Sequence, residues 1–218
     1  MTRVTLKRPW ICFDLGQSMQ VLSWAVNRPG LVMARHILWR EVRNSDLPPG
    51  LDVESWYAQE LAQRTQQKAV GLLTSRDLRH FCEEIIRVEQ IEAHAVATVG
   101  LSNAERIGSR MDYGSRDWGT INIGLRLSEG LTEPGLYEAM SVAVQARTAA
   151  VIDAGIALPG GVATGTGTDC IALAAPVGGV AYAGLHTALG EAIGAAVYKS
   201  VYRGAVAWKS TNRRADHA

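Results

Sequence analysis

Cysteine is scarce in this chain of 218 residues: Cys12, Cys82 and Cys170 stand far apart, with no pair at zinc-site or redox spacing. That argues against a disulfide framework and fits a reducing compartment. An excess of one charge is also missing, since 22 Lys and Arg face 21 Asp and Glu for a formal net charge of +1. No basic field therefore points to nucleic acid. The most apolar stretch, around Ile171 to Ala183, is broken by glycine and proline and is too short for a membrane span. After Lys7 and Arg8, the residues Asp14, Gln17, Ser18 and Gln20 spoil a signal-peptide core. Together these absences point to a soluble, cytoplasmic protein. His36, His80 and His94 have no partner at metal-ligand spacing, which disfavours a histidine-rich zinc centre, although carboxylates leave metal dependence open.

What is present is a chain that is 47% hydrophobic, enough for a sizeable core in a single domain. Apolar patterning predicts strands at 10–13, 19–22, 31–42 and 69–74, and one or two more between Phe81 and Gly100. Asn44 to Gly50 reads as a loop, followed by an amphipathic helix over 53–66 that Asp52 opens. The polar stretch Arg106 to Trp118 reads as a loop, and strands follow at 119–125 and 171–176. Pro134 to Ala154 carries apolar residues at helical spacing before a Gly155 stop, and a second helix is expected from Thr187 onward. The order predicts an α+β fold, a mixed or antiparallel sheet layered with helices. Residues 1–209 form the domain, and 210–218, with no apolar periodicity and His217 within them, read as a solvated tail.

The densest polar feature is Thr164-Gly165-Thr166-Gly167-Thr168-Asp169-Cys170, followed fifteen residues on by Leu185-His186-Thr187-Ala188-Leu189-Gly190-Glu191. Glycine lets backbone approach a ligand and threonine adds an oxygen, so the first motif reads as a site wall. Its glycines lack a P-loop lysine and the spacing of a dinucleotide fingerprint. Ser102-Asn103 and Gly119-Thr120-Ile121-Asn122 also sit at predicted strand ends, where loop residues build sites. Asn103 and Asn122 suit amide donors to an oxyanion, or brace turns. Asp169 suits a base or its orienter, or a turn acceptor. His186 is the best general acid–base candidate, and Glu191 lies a turn and a half beyond it. Cys170, Thr168 and Ser102 are conceivable nucleophiles, with Cys170 the more natural as inert packing. Trp10, Trp24, Trp39, Trp56, Trp118 and Trp208 suit either a flat ligand or packing.

Taken in order, Ala97-Thr98-Val99-Gly100-Leu101-Ser102-Asn103-Ala104, Gly119 to Asn122, Ala146-Arg147-Thr148-Ala149-Ala150, Thr164 to Cys170 and Tyr182 to Glu191 resemble the adenosylcobinamide amidohydrolase family. The turn Asn27-Arg28-Pro29-Gly30 and Gln145 depart from its pattern. The resemblance implies a corrinoid-salvage enzyme of vitamin B12 synthesis. Such an enzyme hydrolyses the amide joining the aminopropanol arm to a corrin propionyl side chain, giving adenosylcobyric acid. It implies a small-molecule corrinoid substrate whose cobalt belongs to the substrate, with no cofactor held by the protein. Carried onto the matched motifs, His186 becomes the proton shuttle, Asp169 its orienter or the water base, and Glu191 an alternative base. Asn103 becomes an oxyanion donor, with Asn122, Ser102, Thr166, Thr168, Gly165 and Gly167 on the substrate side. A non-catalytic corrinoid-binding protein, or an amidase for another small amide, is the competing reading. The small-residue helix Ala192 to Val201 suits close packing, in a homo-oligomer as in a core.

Overall fold

A computed structural model describes residues 3–110 and 119–215, so part of the Arg106 to Trp118 loop and the last three residues of the expected tail lie outside the described residues. Its strands are β1 (Arg3–Lys7), β2 (Trp10–Ser23), β3 (Gly30–Glu41), β4 (Val70–Thr74), β5 (Cys82–Val88), β6 (Ile91–Val99), β7 (Ala104–Glu105), β8 (Ile121–Leu127), β9 (Ala157–Leu158), β10 (Gly161–Val162), β11 (Gly165–Thr166) and β12 (Cys170–Ala175). The helices are α1 (Val53–Gln63), α2 (Glu133–Ala154) and α3 (Ala188–Ala215). Eight strands form one mixed sheet in the order β4-β3-β2-β12-β8-β6-β5, with β1 also on β2. The pairs β12/β8 and β3/β4 are parallel and the others antiparallel. This is the α+β single domain that the patterning predicts.

The central strands are buried on both faces, which is why β12 reads as an unbroken apolar run, Cys170 to Ala175. With period two, Ala97, Ile123 and Leu173 face α2 and α3, while Val96, Gly124 and Ala172 face the opposite core with Phe13 and Trp39. The sheet curls around that second core. A Cβ at Gly124 on β8 would lie 2.5 Å from Trp39 of β3, and Asn122 Nδ2 donates to Leu73 O of β4 at 2.5 Å. Outside the curl, α1 seats Tyr57 and Leu61 on Trp10, Leu38 and Ala69, and Asp52 caps it by accepting from Ser55 N–H.

Two boundaries differ from the reading of the sequence. The two short strands expected at 10–13 and 19–22 are one strand, β2, whose register shifts between Asp14 and Met19. Gly16, at φ 85°, takes the left-handed conformation that this bulge requires. The expected tail begins within α3, because a helix already propagating needs only one more bond per residue. Ser210 and Thr211 hydroxyls both donate to Ala207 O, keeping polar residues on the helix. By contrast α2 stops at Gly155, left-handed at φ 65°, as the sequence indicates, and it begins at Glu133, one residue before the expected start, capped by Thr132.

Candidate functional site

The polar motifs separate to the two ends of the sheet. At one end, the crown, loops before β8 and β12 meet the loop after β6. Gly100 N–H donates to Thr120 O at 2.9 Å, and a Cβ at Gly119 would lie 2.6 Å from Asn103 Oδ1. Asn103 Oδ1 is buried without a hydrogen-bond partner among the described residues, and Ser102 is exposed. Thr168 Oγ1 donates to Gly119 O and Thr120 Oγ1 to Thr168 O, each at 2.8 Å. Thus Asn103, Asn122, Ser102, Thr166, Thr168 and Asp169 do share one end of the fold.

Asp169 is the hub of the crown. Its Oδ2 accepts from Arg147 at 2.6 Å and from Thr166 N–H at 3.0 Å, and its Oδ1 from Thr166 Oγ1 at 2.5 Å and Ile121 N–H at 3.1 Å. Only 8% of the Asp169 side chain and 15% of Arg147's are exposed. Burial holds the Asp169 carboxyl above its ordinary range, with Arg147, the Thr166 hydroxyl and the two N–H groups offsetting only part of that rise. Gly165 is required here, since any side chain would collide with Arg147. With four donors satisfied, the carboxylate ties α2, β8 and the glycine loop together. Asn122 is engaged in the same way, its amide bonded to β4 rather than turned to a ligand. Cys170 is buried and its thiol is pushed up to about 12, chiefly by that burial, which makes it packing rather than a nucleophile.

His186 and Glu191 lie at the other end, the base. The expectation that His186 works beside Asp169, Asn103 and Asn122 is therefore corrected. The reason is β12 itself: its six residues carry the chain about 20 Å from the crown before the loop 176–187 begins. The helices confirm the separation. Glu138, on the second turn of α2, accepts from Ala183 N–H at 2.6 Å, whereas Arg147 at the crown is about 13 Å further along the same helix. Likewise α3 starts beside Glu138 and reaches the crown only at Gly204, packed on Val99.

At the base, the Thr187 N–H donates to Gly184 O at 2.9 Å and closes a four-residue turn. Leu185 and His186 are its two central residues and both are exposed. Thr187 then caps α3, its Oγ1 donating to Gly184 O at 2.8 Å and accepting from Gly190 N–H at 2.9 Å. Around the turn stand Tyr182, Leu185 and Val177, exposed by 76%, 67% and 72%. An apolar surface of this kind, rimmed by polar groups, marks a ligand or interaction site. Glu129, Glu133, Glu138 and Glu191 flank it, and no Lys or Arg occurs in 127–146 or 148–198.

The reading of the sequence assigns no role to two residues here, Arg147, although it stands in the matched stretch Ala146 to Ala150, and Glu138. Arg147 sits on an α2 face of buried alanines, Ala143, Ala146 and Ala150, and an arginine on such a face is a signal that a buried acid awaits it. Glu138 holds the His186 turn by a bond that spans 45 positions, and nothing local announces it. Among the described residues no three His, Cys, Asp or Glu side chains are grouped to hold a metal ion, and no helix is long and apolar enough to cross a membrane. A separate cavity of about 560 Å³ lies between the β2 bulge and β5, β6 and β8, where Arg87 and Arg126 both bond Glu92.

Compared with known proteins, residues 1–213 match the family model described as adenosylcobinamide amidohydrolase. No curated protein matches. The crystal structure of the PH0078 protein from Pyrococcus horikoshii OT3 aligns at 10% identity with a TM-score of 0.43, covering 93% of this chain and 82% of that one.

Proposed function

The chain belongs to the adenosylcobinamide amidohydrolase family, and from that membership we propose that it hydrolyses the amide between the aminopropanol arm and the propionyl side chain of adenosylcobinamide, with the substrate seated at the base. The products are adenosylcobyric acid, for re-entry into cobamide synthesis, and aminopropanol. The observation that carries the location is the exposed His186 turn, set among exposed apolar side chains in segments, 127–146 and 148–198, that carry glutamates but no Lys or Arg. Adenosylcobinamide is a flat cation with a large apolar face. A lysine-free acidic rim and an apolar floor complement both properties.

Amide hydrolysis needs a proton acceptor for the attacking water, stabilisation of the oxyanion and a proton for the leaving amine. The ionisable groups that meet the substrate here are His186 and Glu191. The first-turn N–H groups of Ala188 and Leu189 have no intrahelical acceptor and sit at the positive end of a 28-residue helix, which favours a developing oxyanion. Water adds to the carbonyl carbon and yields its proton to the base. The carbon–nitrogen bond then breaks as that proton passes to the amine. The crown residues serve this reaction by fixing the sheet and α2, on which the base turn rests.

The test is incubation of the purified protein with adenosylcobinamide and mass analysis of the products. Adenosylcobyric acid together with aminopropanol is the expected result. Tight binding with intact substrate would instead leave a non-catalytic corrinoid-binding protein, and cleavage only of non-corrinoid amides another amidase.

A further inference from the structure

Among the described residues none makes a hydrogen bond or ion pair to the imidazole at the base, and we infer that His186 binds the substrate's cobalt as an axial ligand, leaving Glu191 as the base that takes the proton from water. This rests on the reading that the base seats the corrinoid. The other described histidines are unsuited. His94 is buried, with Nε2 bonded to Glu83 at 2.8 Å and its ring against Phe13. His36 stands 3.8 Å from Asp14, beside Arg35, and His80 follows Arg79 in a segment that also carries Arg76. A cationic cobalt centre is repelled from those arginines and attracted to the glutamates around His186.

Among the described residues His186 makes no hydrogen bond or ion pair, so its tautomer is not fixed by a carboxylate. A proton shuttle depends on such an orienting partner, whereas ligation needs only a neutral ring with an accessible lone pair. Cobinamide lacks the nucleotide base that would fill the lower axial position, which leaves that position to water or to a ligand from the protein. Coordination exchanges one bound water for one imidazole nitrogen and changes no oxidation state. The turn presents the ring with little ordering cost, because Thr187, Gly190 and Glu138 already hold its backbone. Tyr182, Leu185 and Val177 then lie under the macrocycle around the metal. Glu191, exposed on the first turn of α3, is left free to accept a proton.

Electron paramagnetic resonance of bound cob(II)inamide tests this directly, alongside turnover of adenosylcobinamide by the same preparation. One axial nitrogen splits each cobalt line into three, and into two when the protein carries ¹⁵N-histidine. The splitting is expected with the native chain, is lost in H186A, and returns when free imidazole is added to H186G. Turnover with unsplit cobalt lines would overturn the ligand assignment while leaving the amidohydrolase reading intact. Neither binding nor turnover would overturn both.

Discussion

Arg147 Nη1 stands 2.6 Å from Asp169 Oδ2 with both side chains nearly buried, at the end of α2 remote from the Glu138 carboxylate that holds the His186 turn. The pair is a structural clamp. Removing the acid strands a guanidinium and three other donors, so Asp169→Ala is expected to cost about 3–5 kcal/mol in urea denaturation. Replacing both residues with apolar ones should cost less than the sum of the single changes. Turnover per folded molecule should stay within a few-fold of the native value.

Gly190→Ala acts at the other pole. Its new methyl would run into the carbonyls of Ala183 and Gly184, displacing the turn that presents His186. Turnover is expected to fall at least tenfold while the thermal midpoint drops only by the equivalent of about 1–3 kcal/mol. Steady-state kinetics beside a melting curve checks both.

The exposed side chains of the base should separate binding from chemistry. Tyr182→Ala and Leu185→Ser remove apolar surface from a seat without touching the core. KM for adenosylcobinamide is expected to rise about tenfold for each, with kcat within twofold and unfolding free energy within about 0.5 kcal/mol of native.

Glu41 gives the fold an acid-sensitive element. Burial pushes its carboxyl up, but two bonds from Arg8, one from Leu78 N–H and the nearby Arg43 outweigh that and hold it below its ordinary value of 4.5. A carboxylate depressed by folding adds stability above its unfolded pKa and loses it as pH falls through the folded one. The native chain should therefore lose this contribution below pH 4.5. Glu41→Gln should be less stable at pH 7 and show a shallower loss below pH 4.5 in acid titrations followed by circular dichroism.

Local rules explain most of what the sequence made legible. The apolar run Ile171 to Pro176 was legible as a strand, observed at Cys170–Ala175, Asp52 announced α1, and Gly155 announced the end of α2. Asp169 and His186 were legible as residue types in polar motifs, but not as neighbours. Their separation depends on where β12 lies in the sheet and on α3 running alongside α2 from the base, and neither leaves a mark on residue spacing. Arg147 was readable as a charge among alanines. Glu138 was not, because its partner is a backbone N–H far along the chain.

Hydrogen–deuterium exchange with and without adenosylcobinamide asks most directly where the substrate sits. Protection is expected in 176–191 and in the first turns of α2, with the amides of 100–103, 119–122 and 164–169 unchanged. Protection confined to the crown segments would contradict the placement of the site at His186.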